Sequence, residues 1–275
     1  HFAPARIDAT RTDGASPTIT ATTANVTAVA FHDLPGAVAI RIDGSQIAAP
    51  QARDGGTVVV AREGLRPDGA WRLATVEDLP PLRKRPGLTG PIDDAFTAPF
   101  VVVAPAGPGI DPAVDQFVAA EFAHFRRRWR DLFRGDLPVV AADAVTDETL
   151  RSKNLVLFGD PVSNPWIARM LPALPCTWTR DALVVAGRRH PAAGHVPLLI
   201  RPNPLAPPTA ADRGRYVVIN SGVTFREEAD ASNAWQNPKL PDWAVVDISV
   251  PPDGRSPGRI VDAGFCDEAW RIAAP

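Results

Sequence analysis

Apolar and polar positions alternate along residues 17–80, in "TITATTANVTAVAF", "AVAIRIDG" and "GTVVVARE". A period of two with many β-branched residues predicts half-buried strands. Asp33–Gly36, Asp43-Gly44 and Asp54-Gly55-Gly56 supply turns between them. No helical period interrupts this stretch, so residues 1–80 are expected to form a small all-β, sandwich-like layer. The pattern then breaks. "DLPPLRKRPGLTGPIDDAF" combines prolines and glycines with the run Arg83, Lys84, Arg85. Residues 81–96 therefore read as a linker or an ordered loop. In the ordered case, Asp93 and Asp94 meet the basic run or cap a neighbouring element.

From residue 97 the pattern changes again, to continuous apolar runs separated by helical signals. "PFVVVAP", "NLVLFG", "VPLLIRPN", "RYVVINSG" and "WAVVDISV" have the character of strands buried on both faces. Between the first two lies a long amphipathic helix. Asp111-Pro112 supplies its cap and first residue, and Val114, Phe117, Val118, Phe122, Phe125, Trp129 and Phe133 follow at helical spacing. A terminal amphipathic helix is expected around Phe265, Ala269, Trp270 and Ile272. Alternating strands and helices predict a three-layer, flavodoxin-like α/β domain over 97–275, with antiparallel hairpins in its last third.

Length and composition narrow the function. With 275 residues the chain can bury a substantial core, and its 45% apolar content is that of a globular protein. A formal charge of −2 gives no footprint for nucleic acid, and no apolar run is long enough to span a membrane. Cys176 and Cys266 lie far apart without metal spacing. Two buried free thiols are expected, with a disulfide as the alternative in an oxidising compartment. No cofactor motif is present.

Candidate chemistry gathers where strands end. "NLVLFGDPVSNPW" has the outline of a phosphate loop or a nucleophile turn. Gly159 stands alone, however, and Pro161 and Pro165 remove amide donors, which a phosphate cradle needs. The glycines flanking a strained serine are missing too. A scaffolding loop remains, in which Asp160 bonds the backbone and Ser163 or Asn164 caps the next helix. If the apolar strands are parallel neighbours, Asp160, Asn164, Arg201, Asn203, Asn220 and Ser221 converge on one rim and could bind a ligand. Ser221, Ser163 and Asp160 are the candidate catalytic residues within that set. His190 and His195 flank a Pro-Ala-Ala-Gly turn without a supporting acid or cysteine, so a solvated turn is expected rather than a metal site. His124, close to Glu121 and Arg128, is expected on the surface. The arginines of "HFRRRWRDLFRG" form a solvated helix face or, alternatively, meet an acidic partner.

Four separated motifs carry a resemblance: "KRPGLTGPIDDAF", "NLVLFGDPVSN", "YVVINSGVTF" and "LPDWAVVD". Together with "TTANVTAVAF" and "AVAIRIDGSQI", they make the chain from about residue 17 to 270 resemble the C-terminal region of bacterial prolyl-oligopeptidase-like serine hydrolases, of the α/β-hydrolase superfamily. The resemblance implies that the nucleophile turn lies in an upstream catalytic domain, which would be this region's partner. It also implies a secreted or periplasmic protein. No catalytic residue carries over, and the chain is expected to be a non-catalytic accessory module. The alternative is a stand-alone hydrolase with its site at the strand ends. A third expectation, carbohydrate binding by the β part, rests on Trp71.

Overall fold

The computed structural model describes residues 4–14, 16–34, 36–47, 56–209 and 212–272. The chain divides into two compact units, His1–Pro80 and Pro81–Pro275. The turn expected at Asp54-Gly55 lies outside the described residues.

The first unit holds β1 (Arg6–Thr12), β2 (Thr18–Ala24), β3 (Ala28–Leu34), β4 (Ala39–Ile42), β5 (Ser45–Ile47), β6 (Gly56–Arg62) and β7 (Trp71–Ala74). They form two sheets, ordered β1-β2-β4-β5 and β3-β6-β7. Alternation sends Ile19, Ala21, Ile40, Ile42 and Ile47 of the first sheet into one core with Leu34, Val58, Val60 and Trp71 of the second.

The second unit is built on β8 (Phe100–Val103), β9 (Val139–Val140), β10 (Asn154–Leu157), β14 (His195–Pro202), β15 (Tyr216–Ile219), β16 (Trp243–Asp247) and β17 (Arg259–Gly264). Their order is β17-β16-β14-β15-β10-β8-β9. A smaller sheet comprises β11 (Cys176–Trp178), β12 (Ala182–Val185) and β13 (Arg188–Pro191). Helix α1 (Pro112–Phe133) is long, whereas α2 (Asp147–Ser152) and α3 (Pro165–Met170) have six residues each. Val114, Phe117, Val118 and Phe125 of α1 share one core with the strands. Among the described residues no helix is long and apolar enough to cross a membrane.

This architecture overturns the expected three-layer, flavodoxin-like α/β domain. Such a fold needs parallel strands joined by helical crossovers that cover both faces. Only β9, β8, β10 and β15 run parallel in the large sheet; β14, β16 and β17 are antiparallel. Among the described residues the chain is one seven-stranded sheet and three smaller ones, mostly antiparallel, with one substantial helix. The expected C-terminal helix is also absent. The Asp267 carboxylate accepts from the amides of Ala269 and Arg271, at 2.9 and 2.8 Å, and Trp270 adopts a left-handed backbone. That local acceptor folds the segment into a turn, and Trp270 enters the core from it.

Residues 81–96 belong to the second unit. Leu88, Ile92 and Ala95 are buried, and a 3₁₀ turn spans Ile92–Thr97. Neither aspartate meets the basic run. Asp93 accepts from the Thr224 amide at 2.9 Å, and Asp94 from the Tyr216 hydroxyl at 2.5 Å. Lys84 pairs instead with buried Asp242 at 2.5 Å. The edges of the large sheet are modest: β9 contributes two residues, and the β16–β17 ladder is broken by a register shift at Val245/Val246.

Candidate functional site

The loop after β10 is held by its own side chains. Asp160 is fully buried. Its carboxylate accepts from the amides of Ile110 (2.5 Å), Val162 (2.8 Å) and Ser163 (2.9 Å), and from the Ser163 hydroxyl (3.2 Å). Ser163 Oγ in turn accepts from the Asp160 amide at 2.9 Å. Asn164 caps α3, accepting from the Trp166 amide at 3.0 Å, while its Nδ2 donates to the Phe158 carbonyl at 2.9 Å. Gly159 has a φ of +123°, and a Cβ there would stand 2.6 Å from Ser163 Oγ. At the end of β15, the Asn220 side chain accepts from the Gly159 amide and donates to its carbonyl, both at 2.8 Å. It imitates a strand residue and closes the ladder where β10 and β15 diverge. Each of these buried groups already has its partners.

The expected rim is split. β14 runs antiparallel to β15, with Arg201 opposite Val217 and Pro202 opposite Tyr216. Arg201 and Asn203 therefore lie at the opposite end of the strands from Asp160, Asn164, Asn220 and Ser221. Arg201 donates to the Trp270 carbonyl, and Asn203 Oδ1 accepts from the Leu205 amide at 2.9 Å.

Ser221 has different company. With Gly222 and Thr224 it lines a cavity of about 20 Å³ that also touches Glu121, His124 and Arg226. That space admits about one water molecule. His124, Glu121 and Arg128 are buried, contrary to the surface position expected for this histidine. The three lie on one side of α1 and clasp the segment Arg226–Asp230. Arg226 grips Glu121 through its two terminal guanidinium nitrogens at 2.8 and 3.3 Å. His124 Nε2 meets the Glu227 carboxylate at 3.0 Å, and Arg128 takes Asp230 in a fork at 2.7 and 2.8 Å. Burial pushes the Glu121 carboxyl up despite Arg226. Burial, then the Arg226 charge, pushes His124 down. Serine, histidine and glutamate are the residue types of a hydrolase triad. They are not joined as one. Ser221 Oγ donates to the Gly222 carbonyl at 3.1 Å, and His124 Nε2 is occupied by Glu227. No hydrogen bond links Ser221 to His124. Sequence reasoning missed the clasp because its halves are about a hundred positions apart; the only local signal was Glu121, His124 and Arg128 at helical spacing.

Two open depressions flank the parallel strands. One of about 630 Å³ lies beyond the carboxyl ends, lined by Pro105, Val140, Ala142 and Trp166, with Arg169 stacked 5.1 Å from the Trp166 ring. The other, of about 470 Å³, lies beyond the amino ends and is lined by Phe96, Phe100, Trp129, Pro138 and Lys153.

The remaining candidates are quiet. Trp71 is 7% exposed, its Nε1 donates to Asp43 at 2.9 Å and Arg62 covers its ring, so it offers no platform for a sugar. The His190 and His195 rings lie 5.1 Å apart, and among the described residues no group of three potential ligands could hold a metal ion. Cys176 and Cys266 are free thiols, both pushed up to about 12 by burial. Comparison of the chain with family models, curated proteins and solved structures returned no match.

Proposed function

We propose that this chain is a non-catalytic accessory module of a secreted or periplasmic, prolyl-oligopeptidase-like serine hydrolase, packing on a separate catalytic domain and shaping access to it. The motif resemblance supplies the partner class. One observation carries the non-catalytic part: Asp160, Ser163, Asn164 and Asn220 have their hydrogen bonds filled by the loop they sit in. A catalytic group needs a free lone pair or proton aimed at substrate. The open apolar depressions are compatible with docking, which requires accessible apolar surface.

The test is labelling with a fluorophosphonate probe together with turnover of generic ester and peptide substrates. The isolated chain is expected to show neither labelling nor turnover. In the full-length gene product, label is expected on a serine upstream of this region. A serine of this chain carrying the label would defeat the reading.

A second reading, a stand-alone hydrolase, is favoured by one observation: Ser221 and His124 line the same cavity, and His124 is bonded to Glu227. It requires rotation of Ser221 towards His124 and opening of the cavity to admit substrate. Turnover by the wild type that is lost in Ser221→Ala and in His124→Gln would establish it.

A further inference from the structure

The C-terminal half of α1 carries a surface that the fold itself does not use. Trp129 and Phe133 stack with ring centroids 4.3 Å apart, and Trp129 meets Phe100 edge-on at 4.8 Å. Phe96, Phe100 and Trp129 floor the depression at the amino ends of the strands. Phe133 stands beside it, 53% exposed. Lys153 lines this depression, and the last two turns of α1 carry further cations. Arg126 and Arg130 stand one turn apart on the helix, with Arg126 over the Phe122 ring at 5.9 Å, and Arg134 caps the helix in a left-handed conformation beside Phe133. Lys153 stands on the rim of the depression. Arg130 is paired with Asp136. Arg126, Arg134 and Lys153 are exposed and form no salt bridge with any described residue.

Proximity to helix C-termini accounts for cations at Arg130, Arg134 and Lys153. It does not account for a phenylalanine left in water beside them, and Arg126, two turns back, is only loosely held over the Phe122 ring. Aromatic and arginine side chains together are the residues that dominate protein–protein recognition. A guanidinium also grips carboxylates in a two-point fork.

We propose that this surface docks a protein segment presenting one aromatic or long aliphatic side chain flanked by carboxylates. The apolar side chain enters the depression over Phe100 and Trp129, against Phe133. The carboxylates meet Arg126, Arg134 and Lys153. The chain's net charge of −2 disfavours an extended polyanion such as nucleic acid, whereas a short acidic segment needs only the local cations. The inference goes beyond the accessory-module reading, because it defines the chemistry of a partner whether or not that partner is a hydrolase.

The experiment measures fluorescence anisotropy of a labelled acidic peptide, acetyl-Asp-Glu-Phe-Glu-Asp-amide, titrated with the whole chain at low salt. The same peptide with lysine replacing each acidic residue is the comparison. Saturable binding is expected for the acidic peptide and none for the lysine form. Phe133→Ser is expected to weaken binding about tenfold, as loss of a central anchor does. The double variant Arg126→Glu/Lys153→Glu is expected to abolish it. These side chains are exposed, so unchanged thermal melting verifies folding, and Arg66→Glu serves as a control for the change in net charge. Absence of saturable binding at millimolar peptide overturns the proposal. So does binding that survives charge reversal, or equal binding of the lysine peptide. Vesicles of phosphatidylglycerol bound in preference to the peptide overturn the assignment to a protein segment.

Discussion

Replacing Asp160 by alanine tests whether the strand-end carboxylate is a fastening. The side chain accepts from three backbone amides, of which those of Ile110 and Ser163 are buried and that of Val162 is partly accessible. Alanine leaves two donors without a partner and without water. A buried donor left unsatisfied costs about 1–3 kcal/mol, so the pair costs about 4 kcal/mol, with a smaller addition from Val162. That is a large part of the roughly 5–15 kcal/mol that stabilises a typical domain. Asp160→Asn keeps the volume but turns an amide nitrogen towards one of the donors, for about 1–3 kcal/mol. The assay is urea denaturation followed by tryptophan fluorescence. Six of the seven tryptophans follow residue 80, so the signal reports the second unit. The expected order of midpoints is wild type, then Asp160→Asn, then Asp160→Ala, with the slope unchanged. If Asp160→Ala costs less than about 0.5 kcal/mol, the size of an ordinary surface substitution, the fastening role is refuted. A stable Asp160→Ala protein that has lost a hydrolytic activity would reassign the carboxylate to chemistry.

Gly222→Ala would place a Cβ 2.3 Å from the Phe125 ring, and overpacking of this kind costs about 1–3 kcal/mol; a lowered thermal midpoint is expected, and an unchanged one contradicts the tight approach. Acidification should weaken the clasp between α1 and Arg226–Asp230. His124 titrates below its ordinary value of 6.5, so below about that pH the unfolded chain binds the extra proton and stability falls. His190, also depressed by burial, acts in the same direction, whereas Glu121, whose carboxyl is raised, favours the folded state at the acid end. Urea midpoints measured between about pH 7 and pH 5 should therefore decline less in His124→Gln than in wild type, and equal declines would remove His124 from the clasp. Both thiols, pushed up to about 12 by desolvation, should resist iodoacetamide at about pH 8 in the native protein, buried Cys266 more than half-buried Cys176, and react together on unfolding; rapid native alkylation of Cys266, followed by mass spectrometry, would contradict its burial.

How much of this was legible in the sequence varied with the range of the interaction. The apolar runs that became β8, β10, β15 and β16 announce buried strands without ambiguity, and the residues after Gly159 announce a capped turn. Strand direction is another matter. "VPLLI" is apolar throughout because β14 sits in the middle of the sheet, and a central strand reads alike whether its neighbours run with it or against it. The unified rim was conditional on its running parallel to its neighbours, and its reversal sets Arg201 and Asn203 apart from the rest. The spacing of Phe265, Ala269, Trp270 and Ile272 suited a helix, but Asp267 offered a nearer acceptor to the backbone than helical carbonyls do. The clasp pairs residues 102 to 105 positions apart, beyond any local pattern.

The bounded edges of the large sheet decide how this protein can meet other molecules. A long, flat outer strand invites another chain to extend the sheet and can seed fibres. On one side β9 exposes only two residues, too few to template a strand. On the other, an irregularity at Val245/Val246 interrupts the pairing of the outermost strand, and exposed Arg259 places charge on it. Backbone-to-backbone addition is thus discouraged at both margins of the large sheet, which leaves recognition by that sheet to side chains.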